Sequence, residues 1–84
     1  MIIHGYMGKN NICGERIRKL RKEKTLNQKQ FAAQVESRYQ VHLSQYTMCK
    51  IENGTRFVPD YELAAISKIL DVPMEELIEP LGIE

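Results

Sequence analysis

Several patterns are missing from this 84-residue chain, and each absence removes a class of protein. No run approaches the roughly 18 apolar residues of a membrane span. The opening MIIHGYMGKNN has no signal-peptide core, so a cytoplasmic location is expected. Cysteine is scarce: Cys13 and Cys49 lie far apart without an export signal, which points to reduced thiols and not to a disulfide framework. Alternating strand patterns, internal repeats and low-complexity tracts are absent, which disfavours sheets, solenoids and disorder alike. There is no Cys/His dyad, no phosphate-cradling glycine loop and no cluster of carboxylates, so an enzyme is not expected. His4, His42, Cys13 and Cys49 lack metal-ligand spacing, and neither a metal nor a cofactor is expected.

What is present suits one small domain. An apolar fraction of 43% is enough for a single core at this length, without staples. The net charge of +1 conceals a division. Residues 1–58 hold eleven Lys/Arg against four acids, and residues 59–84 hold Lys68 alone against seven acids. A basic part facing a polyanion and an acidic part facing elsewhere would produce this pattern, as would two differently solvated surfaces.

The apolar spacing predicts five short helices. The first spans about Cys13 to Lys24, with Ile17 and Leu20 inward and a basic outer face. That charge-rich face is most simply a solvated one, with phosphate proximity a secondary reading. The second opens at LNQKQF: Asn27 is the N-cap, Gln30 closes a capping box, and Leu26 with Phe31 forms a hydrophobic staple. Phe31, Ala32, Val35 and Tyr39 make its buried stripe, so this helix extends to about Arg38. The third, in LSQYTMCKIENG, repeats the logic with Ser44 as cap, Leu43 and Met48 as staple, and Gly54 as a left-handed stop. The fourth follows Pro59, capped by Asp60, with Leu63, Ala64, Ile66 and Leu70 inward. The fifth starts at Pro73, carries Met74, Leu77 and Ile78, and stops at Pro80.

The third helix has an unusual outer face. Met48 and Ile51 point to the core and Thr47 lies at the margin, leaving Gln45, Tyr46, Cys49 and Lys50 outside. That face offers hydrogen-bond donors and acceptors, one cation and no acid. A merely solvated face usually mixes both signs. Cys49 on this face is read as an inert thiol.

In their order, GERIRKLRKEKTLNQKQFAAQV, LSQYTMCKIENG and VPDYELAAISKILDVPMEELI resemble the Xre/Cro-type helix-turn-helix regulators of bacteria and phage. The resemblance covers roughly residues 14 to 78. It implies an all-α, compact five-helix bundle of the lambda-repressor-like type that binds double-stranded DNA and regulates transcription, as a repressor by expectation. It further implies a homodimer on an inverted-repeat operator, with no membrane and no small-molecule ligand. By the same resemblance Gln28 contacts a phosphate and braces the recognition helix. Ser44, Gln45, Tyr46 and Thr47 enter the major groove and Lys50 reads a base or a phosphate. Asn27, Asn53 and Arg56 contact the backbone, and Arg21 with Glu52 forms a structural salt bridge. The chemistry agrees: a major groove admits an α-helix, Gln bonds adenine in a bidentate manner and Lys favours guanine.

Two departures stand out. The connector ESRYQVH between helices two and three adds about six positions to the usual turn and has no glycine. It is read as an extension of helix two plus a loop, with Arg38 within possible reach of a phosphate. Pro73 replaces the Ser or Thr that usually caps the last helix. The expected organisation is a flexible arm over 1–11, the helix-turn-helix domain over 12–79 and a short tail over 80–84. Leu77, Ile78, Leu81 and Ile83 form the candidate dimer surface. The alternative reading is a protein-interaction module, such as an antitoxin or a phage regulator acting mainly through a protein partner.

Overall fold

The computed structural model describes residues 8–78 of the chain. Five α-helices follow one another: α1 (Gly14–Glu23), α2 (Gln28–Tyr39), α3 (Gln45–Glu52), α4 (Asp60–Leu70) and α5 (Met74–Ile78). Helix α2 packs against α3 and α4, α1 packs against the same two, and α5 closes on α4. Every regular helix among the described residues therefore contributes to one core, the all-α bundle the sequence predicts. Phe31, Ile17, Met48, Ile51, Ile66, Leu77 and Val35 are its fully buried side chains. Burying a side chain of this size stabilises the fold by about 1.5–3 kcal/mol each, before entropy is subtracted.

Local sequence explains most boundaries. At the start of α2 the Asn27 side chain accepts from the Gln30 amide at 2.7 Å, and the Asn27 amide donates to Gln30 Oε1 at 2.9 Å. Ser44 Oγ accepts the Thr47 amide at 3.0 Å and so caps α3. The end of α3 is a Schellman motif. Gly54 at φ +84 donates to Ile51 O, and Thr55 donates to Lys50 O. The end of α1 closes in the same way with Thr25 at φ 57, where a β-branched residue is strained.

The connector is a lengthened α2 followed by a five-residue loop, residues 40–44. Gln40 takes the left-handed position (φ 55) that glycine occupies in a shorter turn. Val41 then packs on the core and Leu43 is buried, so the loop is anchored by its own apolar residues. His42 points outward and meets Glu36 at 2.7 Å.

Some expectations need correction. Tyr39, the last residue of α2, is 37% exposed and does not continue the buried stripe. Helix α4 is entered through Pro59 with no side-chain cap; Asp60 is already helical. Its inward face is Ala65, Ile66, Ile69 and Leu70, with Leu63 and Ala64 only half-buried. Leu77 is fully buried in the chain's own core and cannot serve a dimer surface, while Ile78 is 44% exposed. Leu81, Ile83, Pro80 and the tail lie outside the described residues, as does His4.

The expected arm over 1–11 is not free at its end. The Asn10 amide donates to Gly54 O at 2.7 Å, and Asn10 Nδ2 to Thr55 O at 2.9 Å. Asn11 Nδ2 reaches Ile51 O at 3.0 Å and Arg56 O at 2.8 Å, while Asn11 Oδ1 accepts the first amide of α1, that of Gly14, at 2.8 Å. These contacts give partners to the Gly54, Thr55 and Arg56 carbonyls just past α3, add a second donor to Ile51 O, and satisfy the first amide of α1. Gly14 completes the junction. A Cβ there would lie 2.3 Å from Ile51 O, so only glycine lets α1 start against the end of α3.

Candidate nucleic-acid interface

Helix α3 is held from beneath by Met48 and Ile51, both fully buried. It is held from the side by a polar network. Arg21 Nε donates to Glu52 Oε2 at 2.6 Å and Arg21 Nη2 to Glu52 Oε1 at 3.0 Å, and both residues are buried. Arg21 Nη1 also donates to Leu26 O at 2.7 Å, tying in the turn before α2. Gln28 Nε2 donates to the same Glu52 Oε1 at 3.1 Å. One carboxylate at the end of α3 thus joins α1 and α2, and no buried polar side-chain atom among the described residues is left without a partner. A two-point Arg–carboxylate pair fixes orientation as well as distance.

With Glu52 turned inward, the outer face of α3 carries no acid. Gln45, Tyr46 and Cys49 are exposed, and Lys50 is half-buried. Tyr46 is 71% exposed, and the Lys50 ammonium stands 5.0 Å from its ring centroid, within cation–π range. Gln45 makes no side-chain hydrogen bond among the described residues, so both halves of its amide remain available. The Ser44 and Thr47 hydroxyls lie 2.9 Å apart and engage each other at the helix start. Asn53 caps the other end, its Oδ1 accepting from the Thr55 amide and hydroxyl at 3.1 and 2.7 Å.

The remaining candidates separate. Asn27 sits at the exposed start of α2 with its Oδ1 committed to the cap, and Gln28 is half-buried against Glu52. Arg56 has a partner that its place in the sequence does not announce. Its Nη1 and Nη2 bind Glu62 Oε1 and Oε2 at 2.6 and 3.1 Å, clamping the α3–α4 loop to α4. The hydrogen bond to Glu62 raises its pKa further above the ordinary arginine value and keeps it charged. A guanidinium occupied in this way serves the fold before it serves a phosphate, since Glu62 is buried and would be stranded without it. Sequence reasoning missed this pair because Arg56 lies in a loop and Glu62 occupies an inward position normally given to an apolar residue. It also missed Asn11 and Gly14, whose partners are distant in the chain.

Two adjoining clefts border α3 on its α1 side. The larger, about 510 Å³, is lined by the cations Lys9, Arg18, Lys19 and Lys22, the carboxylates Glu15 and Glu52, and Asn53. The smaller, about 240 Å³, runs between Arg18, Gln28, Cys49 and Asn53 over the Arg21–Glu52 pair. Cys49 is exposed, whereas Cys13 is buried and its thiol is pushed up to about 11 by desolvation. No group of three His, Cys, Asp or Glu side chains suited to a metal occurs among the described residues. No described helix is long and apolar enough to cross a membrane.

Comparison with known proteins agrees with this arrangement. A family model described as Helix-turn-helix domain matches residues 14–82, most of the chain. Neither the curated proteins nor the solved structures yield a significant match. The matched span contains α2, the connector and α3, and α3 presents the acid-free face on a braced support. The architecture is one that seats its second helix in the major groove of DNA, and the chain belongs to the helix-turn-helix domain family.

Proposed function

We propose that this protein binds double-stranded DNA sequence-specifically through α3 and regulates transcription as an Xre/Cro-type repressor. The observation that carries the reading is the outer face of α3: Gln45 and Tyr46 exposed, Lys50 beside Tyr46, and the helix's only carboxylate, Glu52, withdrawn beneath it. An amide free to pair with adenine and an ammonium suited to guanine can tell base pairs apart in a major groove. Ser44 and Thr47 enter at the helix start, where backbone amides favour anionic groups. Asn27, Gln28 and Asn53 border that face and supply the phosphate contacts that set register, while Arg56 is engaged by Glu62.

The protein acts as a homodimer on an inverted repeat with half-sites about 34 Å apart, one helical turn. Leu77 being internal, the exposed large hydrophobics among the described residues, apart from Tyr39 and Tyr46, are Ile78 and the aromatics Phe57 (62% exposed) and Tyr61 (61%), and these are available for self-association.

Selection of bound fragments from random DNA tests the reading and returns the operator at once. Gln45→Ala is expected to weaken a selected site about 10-fold or more, the effect of a bidentate base contact worth about 1–3 kcal/mol, and to leave random DNA nearly unaffected. Equal losses on both would remove Gln45 from base reading. If no sequence is enriched and wild-type binding is insensitive to salt, the DNA reading itself fails and a protein partner takes its place.

A further inference from the structure

The basic face of α1 has no part in the base-reading arrangement, yet it adjoins it. Arg18 lines both clefts, and Lys22 lies one turn further along the same helix face as a wall of the larger one. Both are exposed and neither enters an ion pair among the described residues, in contrast to Arg21 and Arg56. Lys9 meets Glu15 at 3.5 Å, and both line the larger cleft. Glu52, which lines both clefts with Arg18, is spent on Arg21 and Gln28. Like charges at i and i+4 on a helix are mildly destabilising, so Arg18 and Lys22 are placed together at a small cost to α1. Arg18 shares the smaller cleft with Gln28, Cys49 and Asn53, and Lys22 shares the larger one with Asn53, which places these two cations beside α3 and not on a remote surface.

We infer that Arg18 and Lys22 of α1, both lining the larger cleft with Asn53 and Arg18 also lining the smaller one with Gln28, form a binding site for backbone phosphates of the DNA strand that flanks the groove occupied by α3. The inference rests on the proposed DNA binding and extends its footprint onto a third helix. A guanidinium and an ammonium beside two side-chain amides offer donors and amide oxygens, while the two carboxylates that also line the clefts are engaged, Glu52 by Arg21 and Gln28 and Glu15 by Lys9. That chemistry suits phosphate oxygens and carries no base preference. Exposed Cys49 of α3 lines the smaller cleft together with Arg18, so a strand lying along α3 passes beside it.

The test is a fluorescence titration of the full chain with a selected duplex and with a random duplex at several salt concentrations. Arg18→Gln and Lys22→Gln are each expected to reduce the slope of log affinity against log salt by about 0.9, equally on both duplexes. Lys68→Gln, which removes the same charge from exposed Lys68 of α4, is expected to leave the slope unchanged. Melting temperatures close to wild type keep the comparison clean, since all three side chains are exposed. The inference is overturned if the double variant keeps the wild-type slope, or if Lys68→Gln lowers it as much. In either case a steep wild-type slope leaves DNA binding itself standing. A flat wild-type slope overturns both.

Discussion

Arg56 and Cys13 illustrate how a single side chain is assigned its work by its neighbours. The Arg56 guanidinium is held at two points by Glu62, whose carboxylate is buried. Arg56→Ala would leave that carboxylate buried and without its cation, at a cost of about 3 kcal/mol, discounted for the partial exposure of the arginine. Urea unfolding should reveal the loss, while the salt slope of DNA binding should stay at the wild-type value. A slope reduced by about 0.9 with stability unchanged would return Arg56 to the phosphates. Cys13 is neutral and buried, its pKa raised from 9.0 to about 11. The folded pKa exceeds the unfolded one, so its contribution to stability is complete below pH 9 and is lost as pH rises toward 11. Cys13→Ala is expected to flatten stability against pH between 9 and 11. A profile in that window identical to wild type would show that the thiol is not linked to folding.

Helix α3 has eight residues, too short to be stable alone, and its form depends on what grips it. Met48 and Ile51 supply the apolar grip, Ser44 and the Gly54 turn supply the ends, and Glu52 fixes it to α1 and α2. Glu52→Ala should therefore cost about 3–5 kcal/mol, because Arg21 would stay buried without its partner. Chemical denaturation checks this, and a loss below about 1 kcal/mol would mean that Arg21 finds solvent or another acceptor. The pair was legible in the spacing of LRKEK and KIENG through family resemblance. Its two-point geometry and its sharing with Gln28 were not, because they depend on how three helices meet. The long connector shows the reverse. Its lack of glycine suggested an extended helix and a loop, and local rules go no further. Gln40 in the left-handed region and Leu43 in the core follow only once α3 has a place to pack.

At the scale of the molecule, the charge division now has a spatial sense. The exposed cations of α1 and the polar face of α3 share one side, joined by the clefts between them. The acids of α4 and α5 lie on helices that line neither cleft, with Glu62 turned inward to Arg56. Two protomers on one inverted repeat are expected, and sedimentation of the protein with a selected duplex measures the ratio. One protomer per duplex at saturating protein would end the dimer proposal. Phe57→Ser with Tyr61→Ser should lower the cooperativity of that assembly if the aromatic pair is the contact, and leave single half-site affinity intact.

The sequence by itself determined the helix count, the caps at Asn27, Ser44 and Gly54, the buried Phe31, Val35, Met48 and Ile51, and the polar outer face of α3. These are settled within a turn or two of chain, by apolar period and by backbone groups that need nearby partners. The tertiary structure alone decided that Arg56 belongs to Glu62, that Leu77 is core and not interface, and that α4 turns Ala65 and Ile69 inward. It also decided that Asn11 and Gly14 join the start of α1 to the end of α3. Each of these depends on which surfaces meet across the bundle, where partners are some six to forty-five residues apart and no local period records the pairing.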